Sequence, residues 1–137
     1  MRRLMIASLS LALLLSAFAM SPVAAGGCVK FVASQFDAPG NDNLNLNAEW
    51  VRIKNLCATG KSLSGWRIHD YNRNHTYTFQ SGVRLGVGKT ITLFTGHGTD
   101  ASNKKYWDKS GAVWNNDPPE YAYLKKADGT LMSRWTE

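Results

Sequence analysis

Few residues in this 137-residue chain have the types and spacing to do chemistry: three histidines, ten acidic side chains and two cysteines. His69 stands next to Asp70, but neighbours on a strand leave opposite faces, so the two cannot act on one group. His97 lies in Thr95-Gly96-His97-Gly98-Thr99-Asp100, which lacks the strand-to-helix setting and the lysine of a phosphate-binding loop and reads as a turn. The third histidine is His75, and the three together have no ligand spacing that would hold a metal ion. No cofactor motif occurs. One catalytic set is conceivable, that of a small basic hydrolase such as a ribonuclease, with Glu49 as base, Arg52 as charge stabiliser and His75 as acid. Strand alternation argues against it by sending Arg52 to a solvated face. The chain is therefore read as non-enzymatic, without catalytic residues, metal, cofactor or small-molecule substrate.

Recognition by flat and cationic groups is the other chemistry available. The stretch from His97 to Glu120 is too long and polar for a tight hairpin, and long ordered loops are often functional. It carries Lys104, Lys105, Tyr106, Trp107, Lys109 and Trp114, a mixture suited to stacking on bases or sugars and to contact with anions. These six are the candidate partner-binding residues. The competing use of Trp107 and Trp114 is to cap one end of the fold, since aromatic rings mostly serve burial.

The N-terminus sets the compartment. Arg2 and Arg3 precede an apolar run from Leu4 to Phe18 broken only by Ser8, Ser10 and Ser16, and Val23-Ala24-Ala25 puts small residues before Gly26. These are the three parts of a secretory signal, predicting cleavage after Ala25, a mature domain at 26–137 and a secreted, extracellular product. The apolar run is shorter than the roughly 20 residues that cross a bilayer, so no stable membrane insertion is expected after cleavage. A twin-arginine route has only the Arg pair in its favour. A lipid anchor on Cys28 would need a larger aliphatic residue where Ala25 stands. Losing Arg2 and Arg3 lowers Lys plus Arg from 16 to 14 against 10 acidic residues, which leaves +4. That balance allows contact with nucleic acid or an acidic envelope polymer, and it equally serves solubility. No basic run in the mature part exceeds a pair, Lys104-Lys105 or Lys125-Lys126.

Cys28 and Cys57 are the only cysteines, and an oxidising exterior favours their pairing. If the segment after Cys28 and the segment before Cys57 are antiparallel neighbours, the two thiols meet. Closing a loop of that length contributes about 3 to 4 kcal/mol in the chain-entropy description.

The elements that must position these groups are strands. Helical periodicity is absent from the mature sequence, whereas short β-branched and aromatic runs alternate with Gly, Asn, Asp and Pro. Strands are predicted at 29–36, 49–55, 66–69, 76–79, 89–95, 121–125 and 131–135. Asp37 to Asn47 holds Pro39, Gly40, four asparagines and two aspartates, a loop composition. In the second strand Val51 and Ile53 point inward while Arg52 and Lys54 point out. Gly86-Val87-Gly88 and Ala127-Asp128-Gly129 supply turns, because Gly and Asp-Gly tolerate positive φ. Seven short strands with frequent turns argue for a β-sandwich.

Glu49-Trp50-Val51-Arg52-Ile53-Lys54-Asn55, followed by Leu63-Ser64-Gly65-Trp66, resembles the central signature of the lamin tail domain family. His75-Thr76-Tyr77-Thr78-Phe79, Leu85-Gly86-Val87-Gly88, Trp114-Asn115-Asn116 and Tyr121-Ala122-Tyr123-Leu124 follow in the family's order. The likeness spans nearly all of 29–135. It implies an all-β, immunoglobulin-like sandwich of about seven to nine strands and a binding or structural module contacting protein, envelope polymer or nucleic acid. Bacterial members occur in secreted proteins, alone or beside enzymes such as nucleases. The structural signature is Glu49, Trp50, Gly65, Trp66, Asn115 and Asn116. Gly65 allows a tight bend so that Trp66 reaches the core, and the two asparagines can bond nearby backbone ahead of the last hairpin. The chain departs from the family where a Gly-Asp pair usually follows, since Pro118-Pro119-Glu120 stands there.

Overall fold

A computed structural model of the chain describes residues 26–117 and 119–137. The predicted secretory signal and its cleavage point lie outside the described residues, as does Pro118. Ten strands are formed among those residues: β1 (Val29–Gln35), β2 (Trp50–Asn55), β3 (Lys61–Ser62), β4 (Arg67–His69), β5 (Thr76–Thr78), β6 (Arg84–Leu85), β7 (Thr90–Phe94), β8 (Lys104–Tyr106), β9 (Ala122–Lys125) and β10 (Leu131–Trp135). All seven predicted strands are present, with ends shifted by a residue. The loop after β1 carries only two single-turn 3-10 segments, at Asp42–Leu44 and Leu46–Ala48. The Asn41 side chain accepts the Asn43 N–H there, competing with any ladder.

Two four-stranded sheets, ordered β1-β2-β7-β8 and β10-β9-β4-β5, face each other, with the small β3-β6 pair beside them. Alternation builds the core between them. β2 buries Val51 and Ile53, β7 buries Ile91 and Leu93, and β9 buries Ala122 and Leu124 while Tyr123 and Lys125 point out. Trp66, Phe79, Leu63 and Leu85 fill the same core. One side of the sandwich closes where β1 meets β10: the Phe31 N–H donates to Ser133 Oγ at 3.2 Å and Trp135 Nε1 donates to Ser34 Oγ at 2.8 Å. Covering these edges leaves fewer unpaired backbone groups to recruit another chain.

Cys28 and Cys57 form a disulfide. β1 runs antiparallel to β2 with Val29 opposite Asn55, so the residues just outside that pair are neighbours, as the sequence predicted. The thiol that a lipid anchor would need is therefore taken.

Three strands escaped prediction. β3 and β6 have two residues each, too few for a period. β8 falls inside the stretch read as one long loop; it pairs in parallel with β7, with Lys104 opposite Thr92 and Tyr106 opposite Phe94. Lys-Lys-Tyr shows no apolar alternation because β8 is an edge strand, where lysines discourage further pairing.

Candidate binding surface

The two tryptophans of the 97–120 stretch do not face solvent. Trp107 is 8 % exposed and Trp114 only 2 %, and both belong to the core cluster. Trp114 stacks on Phe36 at 4.8 Å and meets Trp107 edge-on at 5.7 Å, and Trp107 in turn meets Tyr77 at 6.1 Å. The result is a row of rings closing one end of the sandwich. The two tryptophans are thus end caps rather than stacking platforms, because their faces are already used by other rings. Beneath them lies Glu49, 0 % exposed, whose two carboxylate oxygens accept the N–H groups of Val113 and Trp114 at 3.1 and 3.0 Å. Burial pushes its carboxyl above the ordinary value, and the two N–H donors work against that rise.

The remaining candidates of that stretch separate. Lys105 turns toward Asp100 at 3.3 Å and is 13 % exposed. Lys109 is half-buried, its N–H donating to Thr95 O at 3.0 Å. Lys104 and Tyr106 do project outward, onto the face of the first sheet, where Tyr106 stacks on Phe94 at 5.3 Å. Arg52 lies over the Trp50 ring at 4.8 Å on that face, and its Nε donates to Thr92 Oγ1 at 2.8 Å. The Phe94–Tyr106 pair and the Trp50–Arg52 contact are made within the face.

The outer face of the second sheet is different. Tyr71, Tyr121, Tyr123 and His69 form a continuous row, with centroid separations of 5.8, 6.2 and 4.9 Å, the last pair stacked. The Arg134 guanidinium covers Tyr121 at 5.1 Å. Glu120 holds one end of the row in place. One of its oxygens accepts the N–H groups of Tyr71 and Tyr121 at 3.1 and 2.9 Å, and the other accepts that of Asn115 at 3.0 Å. Sequence reading assigned this turn to Asn115 and Asn116. In the structure Glu120 fixes it, Asn115 gives only its backbone N–H, and the Asn116 side chain reaches Asp42 at 2.7 Å instead.

At the other end of the row is an open pocket of about 230 Å³ lined by Arg67, His69, Arg73, Thr76 and Lys125. Arg67 and Lys125 are directly opposite each other on β4 and β9. His69 is 6 % exposed; its Nδ1 donates to the Asp70 carbonyl at 2.8 Å. Its Nε2 is buried with no partner. Burial, then the charges of Lys125 and Arg73, hold the His69 imidazole below its ordinary value, with the Asp70 carbonyl opposing. Lys125 is lowered too, by partial burial first and then by Arg73 and Arg67. The nearest carboxylate, Asp70, is spent on His75, whose N–H and Nδ1 it meets at 3.1 and 2.8 Å.

Among the signature residues, Asn115 and Asn116 do not fix the turn through their side chains, and the other four lie as follows. Trp66 is buried in the core, and Gly65 before it has φ +73, where a Cβ would also meet that of Ala127 at 3.1 Å. Trp50 is half-buried under Arg52 and Glu49 ties the end of the sandwich. The Lamin Tail Domain family model matches residues 22–137, essentially the whole chain. The chain belongs to the lamin tail domain family. No curated protein matches it.

Lamin tail domains are immunoglobulin-like and non-enzymatic as a family, and the geometry here does not assemble the hydrolase set. Glu49 is sealed by Val113 and Trp114, Arg52 lies on the outer face of the first sheet, and His75 sits before β5 in the second. Among the described residues, no three His, Cys, Asp or Glu side chains lie close enough to share a metal ion. The pocket and the tyrosine row were missed as a site by sequence reading. Their signal was nevertheless present in the outward positions of Tyr121-Ala122-Tyr123-Leu124-Lys125, once alternation is followed to the solvent side.

Proposed function

We propose that this lamin tail domain is an exported, non-catalytic binding module that docks a phosphate-bearing polymer on the outer face of β10-β9-β4-β5. One observation carries the reading: a row of four rings flanked by Arg67, Arg73, Lys125 and Arg134, with no outward carboxylate on the four strands. Rings and cations side by side suit stacking on bases or sugars with phosphates alongside. Export is supported by the three-part leader and by the disulfide, which persists in oxidising compartments.

The test is a pull-down of the purified protein against cell-wall, DNA and secreted-protein fractions, followed by anisotropy with a labelled single-stranded oligonucleotide across a salt series. Retained polymer whose affinity falls as salt rises, and falls again in Tyr121→Ala, supports the reading. Retention that ignores both salt and Tyr121 excludes this face.

A further inference from the structure

Three unfavourable features meet at the pocket between β4 and β9. Arg67 and Lys125 are like charges directly opposite on neighbouring antiparallel strands, an arrangement that destabilises a sheet. Arg73 has φ +63, a left-handed backbone that arginine rarely adopts. His69 buries a ring nitrogen without a partner, which costs stability because the atom gives up its water for nothing. Arg67 gives a 3.4 Å hydrogen bond to Ala127 O that takes one of its five donors, and His69 gives its Nδ1 to the Asp70 carbonyl while its Nε2 stays without a partner. Costs of this kind persist where the surrounding structure holds them for a purpose.

We infer that this pocket is a phosphomonoester site: Arg67, Arg73 and Lys125 hold the phosphate oxygens and His69 Nε2 shares a proton with one of them. Resting on the proposed polymer-docking function, the inference narrows its ligand to a terminal phosphate rather than a diester backbone. Charge decides the class. Three cations converge without a carboxylate, while a diester offers one negative charge and a monoester near pH 7 offers about 1.5 to 2. The tautomer decides the rest. Because Nδ1 donates to Asp70, the neutral ring presents an acceptor at Nε2. A monoanionic phosphate donates its own O–H to that acceptor, whereas a dianion accepts from an imidazolium. Either way one proton lies between ligand and ring, so none need be found elsewhere. Thr76 adds a hydroxyl at the rim, and the Tyr123 ring stacked on His69 gives the organic part of the ester a surface to cover.

The experiment follows the His69 ring nitrogens of the purified protein by NMR while phenyl phosphate, phenyl sulfate and dimethyl phosphate are added in turn. Phenyl phosphate is expected to bind at least tenfold more tightly than dimethyl phosphate and to shift the Nε2 signal. Phenyl sulfate carries no proton to share, so its binding should weaken as pH rises through the His69 titration, with Lys125, Arg67, Arg73 and the Asp70–His75 pair as the surrounding charged and titratable groups and the neutral Tyr123 phenol stacked beside the ring. Lys125→Gln should weaken phenyl phosphate tenfold or more yet leave the melting temperature unchanged or raised, because the repulsion with Arg67 is gone. Equal binding of phenyl phosphate and dimethyl phosphate, an unmoved Nε2 signal, or a Lys125→Gln protein that melts lower and binds normally would each overturn the inference. If the labelled oligonucleotide still binds through Tyr121 and Arg134 in such a case, the surface reading survives and only the pocket is lost.

Discussion

The 97–120 stretch and the outer face of β4 and β9 contain the same kinds of residue, yet the structure uses them in opposite ways. Trp107 and Trp114 are enclosed between Phe36 and Tyr77, and the nearby Lys105 leans on Asp100. Tyr71, Tyr121 and Tyr123 lie along a solvated sheet, with three cations around a pocket that no acid enters. Composition does not separate these regions; side-chain direction does. A tryptophan in an irregular segment has no period to fix which way it points, and burying a large ring is the more stable choice. On β9, alternation sends Ala122 and Leu124 inward and therefore leaves Tyr123 and Lys125 outside.

The largest expected effect tests the enclosed region. Trp114→Ala should cost about 3–5 kcal/mol, as loss of a buried aromatic ring does. A denaturation midpoint within error of the parent protein would show that the ring is free and would erase the contrast. Glu49→Gln comes next. A glutamine presents one oxygen and one NH₂ to the two N–H donors of Val113 and Trp114, so one donor goes unpaired at about 1–3 kcal/mol. Its sign with pH is checkable as well. Burial raises the Glu49 carboxyl above 4.5 in the folded state, so its share of stability is full below that value and declines as pH rises through the folded value. Denaturation midpoints measured from pH 4 to 8 should lose this component in Glu49→Gln.

On the open face the sizes reverse. Tyr121→Ala removes a half-buried ring, so the melting temperature should fall little, while affinity for the labelled oligonucleotide should drop by about 1–3 kcal/mol, the range for one stacked base. Stability in acid adds a second contrast. His69 is held below 6.5 in the folded state, so its contribution is full above that value and is lost as pH falls through the folded one. Phenyl phosphate should offset that loss in the parent protein and leave Lys125→Gln largely unprotected.

Much of the fold was legible because it rests on period and turn chemistry. Val51 and Ile53 against Arg52 and Lys54, the Asp128-Gly129 turn with Gly129 at φ +89, and two cysteines flanking paired strands each carry their meaning locally. The site was less legible because it is built from separation in sequence. Lys125 meets Arg67 only through the β4–β9 pairing, and Arg73 joins them from the loop before β5. Glu120 is a third case. Beside two prolines it reads as a departure from the family pattern, yet its carboxylate binds three N–H groups and anchors the tyrosine row.

The smallest expected effect is the sharpest test of the comparison, because composition alone would make it large. Lys104 and Lys105 are the strongest basic signal in the 97–120 stretch, and a polyanion attracted by charge density alone would be held there. Their surroundings argue otherwise. Lys105 is 13 % exposed and already meets Asp100 at 3.3 Å, while Lys104 lies on the opposite sheet from the pocket and the tyrosine row. An ion pair of this kind contributes about 0–1 kcal/mol to stability, so Lys104→Ala with Lys105→Ala should barely move the melting temperature. Affinity for the oligonucleotide should change no more than about twofold. The slope of log affinity against log salt should keep nearly its full value, since for a single strand it shrinks by about 0.7 for every phosphate that the protein ceases to neutralise. A double variant that loses as much affinity as Tyr121→Ala, with a matching fall in that slope, would move the docking surface to the first sheet and reverse the assignment of the two regions.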